Sequence, residues 1–282
     1  MRIVRHIAEL RGALSGARES LQMIGLVPTM GSFHEGHLSL MRRSLADCDV
    51  TVVSLFVNPA QFNDPRDLDA YPRDEARDAD LAASEGVDVL FAPSVPEMYP
   101  AGYATSVTVG GVSLPLEGEA RGASHFAGVA TVVSKLFNLV QPTAAYFGQK
   151  DAQQALVVRK LVHDLNIPVR IDVCPTIRDP DGLAMSSRNV RLAPSDRARA
   201  LSLRAGLDAA VAAIHSGERR APIVEAVGRD AMLARGVQPE YFAAVPATTL
   251  LAFDTLQGET LLAVAARVGD VRLIDNELIH IG

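Results

Sequence analysis

Short apolar runs alternate with amphipathic stretches through the first part of the chain. "IGLVPT" (24–29) and "VTVVSLFVNP" (50–59) are dense in branched apolar residues and end at proline. Buried parallel strands have this character, because both of their faces are covered. Between them, "GHLSLMRRSLADC" sets Leu38, Met41 and Leu45 on one helical face and arginines on another, which predicts a βαβ unit. The mixed-sign run "FNDPRDLDAYPRDEARDAD" predicts a solvated loop and helix face, with a charged surface helix ending at Gly86, and "VDVLFAP" predicts the next strand. "GVATVVSKLFNLVQP" is a nearly all-apolar helix ending at Pro142. Strand "AAYFG", helix "DAQQALVVRKLVHDLN" and strand "VRIDVCPTI" follow. Alternation of this length predicts a Rossmann-like, doubly wound parallel sheet that binds its ligand beyond the carboxyl ends of the strands.

The pattern changes after Thr176. "RDPDGLAMSSRNVRLAPSD" is a polar, turn-rich link, followed by two expected helices near 195–216 and 221–236 and by strands around "EYFAAV", "TLLAVAARV" and "VRLID". The expected organisation is a ligand-binding parallel-sheet domain over 1–176 and a smaller α+β domain over 177–282 hinged on it. The sequence contains no internal repeat and no low-complexity segment.

Composition narrows the function. With 282 residues, 48% of them hydrophobic, the chain can bury a full core. A net charge of -6 argues against a protein built to lie along a polyphosphate backbone, though a local basic pocket is compatible with it. Cys48 and Cys174 are far apart and match no metal spacing, so two reduced thiols are expected. The opening "MRIVRHIAEL" has no long apolar run and no uncharged stretch is long enough to span a bilayer, from which a cytoplasmic protein is expected.

The candidate chemistry begins at "VPTMGSFHEGHLSLMRRS", where His34 and His37 stand at the junction of a strand and a helix. The zinc helix motif H-E-x-x-H differs in spacing, and no third ligand follows. A capping histidine with a packed partner is the plain alternative. In the third reading both rings point, with the helix N-terminus, at an anion that Gly36 admits close to the backbone. Two further stretches bear on the choice. "AMSSRN" (184–189) is a hydroxyl-rich loop with a fixed positive charge, and "YFGQKDAQQ" (146–154) carries Lys150 and Asp151 at the start of a helix. Taken singly, each reads as a serine-rich turn and a surface ion pair. Neither a G-x-x-x-x-G-K-[ST] loop nor a G-x-G-x-x-G after the first strand is present, so a nucleotide would be held in another way.

A strand-end H-x-G-H with a downstream serine-rich basic loop resembles the nucleotidyltransferase superfamily. Its class I tRNA synthetase relatives carry a Lys-Met-Ser-Lys-Ser loop in the second position. Within it, "PTMGSFHEGH", "FVNPAQF", "LEGEARGASHFAGVATVVSKLFNLVQP", "YFGQKDAQQ" and "DGLAMSSRN" together resemble the pantothenate synthetase (pantoate–β-alanine ligase) family, in that family's order. The resemblance implies a ligase in which pantoate's carboxylate attacks the α-phosphorus of ATP, giving pantoyl adenylate and pyrophosphate, after which β-alanine's amine displaces AMP. It implies Mg2+ carried with ATP, Asp151 as a possible ligand of that ion, and a homodimer.

By the same resemblance, Lys150, Ser186, Ser187 and Arg188 clamp phosphates while His34 and His37 stabilise the transition state. Met30, Gly36, Gly148, Asp151, Ile177 and Met185 complete the ATP site. Gln61 and Gln154 hold pantoate, Asn58 shares their pocket, and Met30 lines its apolar wall. Glu117 and Arg121 are either a pair near the mouth of the site or a surface ion pair. Two departures stand out: Ala127 where an arginine is common, and Gln149 where a glutamate is frequent. The alternatives are another small-molecule nucleotidylyltransferase, which leaves the nucleotide on its product, and a nucleotide-binding regulator with a dead site. Intact His34, His37 and Lys150 argue against the regulator.

Overall fold

The computed structural model describes the backbone of all 282 residues and every side chain except that of Ala123. The chain forms two compact units, one made of 1–149 and 153–175, the other of 150–152 and 176–282. The first contains six strands, β1 (Arg2–Val4), β2 (Ile24–Thr29), β3 (Val50–Leu55), β4 (Val89–Phe91), β5 (Ala144–Gly148) and β6 (Arg170–Cys174). They pair in parallel in the order β1-β4-β3-β2-β5-β6. The order reverses between β2 and β5, which is where an open α/β sheet places its ligand crevice.

Successive strand residues point to opposite faces, so each central strand feeds two cores. Leu26, Val52, Phe91 and Phe147 join one cluster, while Val27, Val53, Leu90 and Tyr146 join the other. Helix α1 (Ile7–Glu19) closes the first face with Leu10 and Leu14. Helix α2 (Glu35–Asp47) brings Leu40 and Met41 to the second. Three elements, α3 (Pro65–Asp69), α4 (Glu75–Glu85) and α5 (Val95–Met98), follow, and Ala79 and Ala82 of α4 cover the second face beside α2. Beyond the short α6 (Glu117–Arg121), α7 (Ala123–Val140) and α8 (Ala152–Asp164) return to the first face through Val133, Phe137, Val158 and Leu161. The sheet is therefore doubly wound, as its hydrophobic pattern predicts. At Gly25 an added Cβ would strike the Ser44 hydroxyl, so glycine there lets α2 lie close on β2.

The second unit is a three-stranded antiparallel sheet, β7 (Pro239–Pro246), β8 (Gly258–Val268) and β9 (Val271–Ile281), with helices α9 (Pro194–Ala200), α10 (Ser202–His215) and α11 (Ala221–Leu233). Leu203 and Leu207 of α10 and Val224 and Met232 of α11 meet Phe242, Leu262 and Val264 in its core. A Cβ on Gly206 would sit 2.9 Å from the Gly228 carbonyl, so the two helices approach through glycine.

Several boundaries differ from the sequence expectation. The helix expected over 195–216 is two helices, divided at Leu201. Lys150 and Asp151 occupy a 3₁₀ turn, Gln149–Asp151, ahead of α8 and not its first turn. The run 62–80 is not solvated throughout: Tyr71 is buried, and so is Asp78 on the helix expected to lie at the surface. Both cysteines are free thiols, and among the described residues no helix is long and apolar enough to cross a membrane.

Candidate active site

The loop after β2 turns through two left-handed residues, Gly31 (φ 87°) and Ser32 (φ 53°). The buried Asp78 carboxylate holds that turn, accepting the Ser32 and Phe33 amides at 2.7 Å each, and the Arg77 guanidinium donates to the Phe33 carbonyl at 3.2 Å. This fixes the entry of α2. His34 is its N-cap: Nδ1 accepts the Gly36 amide at 3.1 Å, while the His34 amide donates to Nδ1 of His37 at 3.3 Å. The two histidines thus form a reciprocal capping box, the work usually done by Ser or Thr with Glu.

This cap determines the chemistry. A nitrogen that accepts an N–H carries no proton, so each neutral ring bears its hydrogen on Nε2. The rings lie side by side, centroids 4.2 Å apart, and Phe33 packs on His37 at 5.5 Å. Two N–H donors therefore leave the cap on the sides of the rings away from the backbone. Gly36 has a use beyond the one inferred from sequence: a Cβ there would lie 2.9 Å from the His34 ring, so the cap itself requires glycine. Among the described residues no group of three or more His, Cys, Asp or Glu side chains is arranged to hold a metal ion.

A second cluster follows β3. Asn58 is buried and caps the 3₁₀ turn Pro59–Gln61. Its Nδ2 donates to the Gly128 carbonyl at 3.1 Å and to Gln61 Oε1 at 3.0 Å, and Gln61 Nε2 donates to the Met30 sulfur at 3.1 Å. Met30, Asn58 and Gln61 are thereby brought together. Gly128 permits it, because a Cβ there would collide with the Ala60 backbone. His125 donates through Nδ1 to the Gln61 carbonyl at 2.8 Å, locking the turn from α7. Tyr99, to which no sequence signal pointed, donates its hydroxyl to Asn58 Oδ1 at 2.8 Å.

Gln154 is half-buried on α8, and its neighbour Gln153 has a different task. Gln153 Oε1 accepts the Glu117 amide at 3.0 Å and Nε2 donates to the carbonyls of Val112 and Pro115 at 3.0 and 2.7 Å, pinning the loop ahead of α6. Leu116 holds a positive φ of 54° there. Glu117 and Arg121 are no surface pair: the Glu117 side chain is 8% exposed and accepts Arg121 Nε at 2.7 Å.

In the second unit, Lys150 is largely enclosed, its side chain 18% exposed, whereas Asp151, 3.5 Å away, is 49% exposed. Asn276 of β9 donates to the Lys150 carbonyl at 2.9 Å. The preceding residue, Asp275, receives both arms of Arg178 at 2.6 and 2.9 Å. Arg178 opens a hairpin in which Arg178 bridges Ala184 and the Met185 amide donates to the Ile177 carbonyl at 3.0 Å. The hairpin delivers Ser186, which caps the 3₁₀ turn Ser187–Arg191 by accepting the Arg188 amide at 3.3 Å, while Ser187 is buried. Two adjacent residues of one strand therefore brace both the Lys150 turn and the hydroxyl-rich loop.

A doubly wound parallel sheet with paired imidazoles after one strand of its switch point and an amide cluster after the next strand, followed by a second unit carrying Lys150, Ser186, Ser187 and Arg188, is an α/β architecture of the class that holds ligands beyond the carboxyl ends of its strands. Comparison with known proteins makes the class particular. The family model for pantoate-beta-alanine ligase matches residues 2–278. Pantothenate synthetase of Cereibacter sphaeroides is 52% identical over 275 residues, covering 97% of this chain and 98% of that protein. Among solved structures, pantothenate synthetase of Thermus thermophilus matches with a TM-score of 0.94 at 44% identity over 100% of both chains. The Francisella tularensis pantoate-beta-alanine ligase complexed with beta-gamma ATP and beta-alanine matches with 0.80 at 34%, over 99% of this chain and 97% of that one. The chain belongs to the pantoate–β-alanine ligase family and is a ligase that condenses pantoate with β-alanine using ATP.

Proposed function

We propose that the chain makes pantothenate in two steps through pantoyl adenylate, with the residues above in the roles that the family resemblance implies. A pantoate carboxylate oxygen attacks the α-phosphorus of ATP, forming the acyl phosphate bond as the bond to pyrophosphate breaks. The amine of β-alanine then attacks the acyl carbon, the carbon–oxygen bond to AMP breaks, and the nitrogen loses a proton. Adenylation turns a poor acyl donor into a good one, and it requires that charge building on pyrophosphate be met by preorganised donors.

The observation that carries this reading is the paired cap, in which Nδ1 of each histidine accepts a backbone amide. His34 and His37 present adjacent Nε2–H donors without having to reorient, and such fixed dipoles cost no reorganisation as charge develops. Lys150, Ser186, Ser187 and Arg188 bind phosphate, with Gly148, Ile177 and Met185 shaping the nucleotide's surroundings. Gln61 and Gln154 orient pantoate with Asn58, and Met30 packs against its methyl groups. Neutral amides suit a nucleophilic carboxylate, because a paired cation would blunt it.

Mg2+ fits the donor set. Asp151 offers one exposed carboxylate, and magnesium is ordinarily held by one or two carboxylates together with substrate phosphates and water. The ion would neutralise phosphate charge. We further propose that the first unit binds nucleotide and pantoate, that the second acts as a lid, that the enzyme is a cytoplasmic homodimer, and that dimerisation uses the first unit. A monomer by light scattering at micromolar concentration would refute the last point.

The test of the mechanism is isotopic. Pantoate and Mg-ATP alone should support exchange of labelled pyrophosphate into ATP, and pantoate labelled with heavy oxygen in its carboxylate should yield labelled AMP once β-alanine is added. Exchange that strictly required β-alanine, or release of ADP and phosphate, would reject the acyl adenylate.

A further inference from the structure

We infer that Tyr99 is a positioning residue that steadies the Asn58–Gln61 amide pair, whose backbone partners set which face of Gln61 the substrate meets, and so helps select pantoate. The inference rests on the assignment of Gln61 to pantoate. Its basis is a hydrogen-bond chain in which each polarity is forced by the link before it.

The chain starts at two backbone groups whose roles cannot change. The Ala60 amide, a donor only, faces one terminal atom of the Asn58 side chain at 3.3 Å, so that atom is the oxygen. The Gly128 carbonyl, an acceptor only, faces the other at 3.1 Å, so that atom is the nitrogen. The Tyr99 hydroxyl, 2.8 Å from Asn58 Oδ1, must then donate to it. The second hydrogen on Asn58 Nδ2 meets the Gln61 side chain at 3.0 Å and requires an acceptor, which turns Gln61 Oε1 inward and Nε2 outward beside the Met30 sulfur. Gln61 thus offers donors, never its carbonyl, to an oxygen-rich substrate.

Tyr99 is the outer clamp on this relay. Its ring is held by Phe56 at 6.1 Å and Tyr103 at 5.1 Å, and the Lys135 ammonium lies 5.9 Å from its centroid. Burial, with Tyr103 nearby, pushes the hydroxyl up to about 12, which keeps it protonated as the donor at working pH. Without that hydroxyl, Asn58 Oδ1 keeps only the longer bond from Ala60, and both amides gain freedom to rock.

The test is a double-mutant cycle in the full chain. Tyr99→Phe should raise KM for pantoate about five-fold, the worth of one ordinary hydrogen bond. KM for ATP and β-alanine should stay at wild-type values, and Tm should fall by no more than about 2–4 °C, the share of one hydrogen bond. In a Gln61→Ala background, itself raised in KM for pantoate, the same substitution should add nothing, because its effect passes through Gln61. The side-chain amide resonances of Asn58 and Gln61 should shift in substrate-free Tyr99→Phe. An unchanged KM for pantoate in Tyr99→Phe, an equal effect in both backgrounds, or a joint fall of Tm and rise of every KM would overturn the inference. If Gln61→Ala alone left KM for pantoate untouched, the assignment of Gln61 would fail and the relay with it, whereas the other outcomes reject the relay and leave the assignment standing.

Discussion

The carboxylate of Asp78 accepts the Phe33 amide at 2.7 Å with only 1% of its residue surface exposed, and through that bond α4 holds the loop that delivers His34 to its cap. Its other oxygen takes the Ser32 amide, next to the left-handed Gly31. Asp78→Ala would remove the acceptor of the Ser32 and Phe33 amides beside a left-handed turn, an expected loss of about 2–4 kcal/mol. Urea denaturation would measure it. Adenylation should fall as well, since the loop that sets α2 would be released.

His37→Glu separates capping from chemistry. Glutamate is the ordinary residue at this position of a capping box, so one carboxylate oxygen can replace Nδ1 as acceptor for the His34 amide. The variant should unfold within about 0.5 kcal/mol of wild type, the difference expected for a retained cap. Its carboxylate has no N–H to offer, so pyrophosphate exchange should drop about a hundredfold or more. A variant with full exchange would reduce His37 to a cap.

Much of this was legible in the chain because parallel strands advertise themselves. "IGLVPT" and "AAYFG" predict β2 and β5 with the observed bounds, since a strand buried on both faces has no polar alternation to blur its edges. Strand β1, Arg2–Val4, is too short to carry such a signal, whereas α1 has Leu10, Leu14 and Ala17 at helical spacing and was legible in the same way as α2. The histidine pair at the head of α2 was legible in the chain, its capping was not: which nitrogen accepts depends on the turn that brings His37 under the His34 amide. Asp78 was hidden for a related reason. One carboxylate in a mixed-sign run reads like its neighbours until the fold buries it. Tyr99 and Asn276 act across 41 and 126 residues of sequence, where local pattern carries no information.

Alkaline pH should weaken the fold through Cys174. Burial first, with Asp172 beside it, pushes its thiol up from 9.0 to about 11. The folded state therefore keeps a proton that the unfolded chain gives up over that interval, so this contribution is full below pH 9 and is lost as pH rises towards 11. Stability measured across that window should decline, and Cys174→Ser should flatten part of the decline. An equal slope in the variant would assign the loss elsewhere.

Asn276 offers a test of the second unit by itself. Its Nδ2 is bonded to the Lys150 carbonyl, and the adjacent Asp275 anchors Arg178 at the base of the loop carrying Ser186, Ser187 and Arg188. Asn276→Ala frees the Lys150 turn while leaving the Arg178 anchor in place. An unpaired carbonyl and a loosened lysine should cost about 1–3 kcal/mol in whichever state relies on them. If Lys150 acts on phosphate, that cost falls on adenylation: kcat for pyrophosphate exchange should decrease about tenfold, the equivalent of 1.4 kcal/mol. KM for pantoate should move little, since Met30, Asn58 and Gln61 are held by other bonds. Asp275→Asn, which leaves the Arg178 guanidinium without its carboxylate, should instead loosen the serine loop and raise KM for ATP. The two variants would then differ in kind. Identical effects from both would mean that β9 serves the unit only as a structural edge, with no separate hold on Lys150.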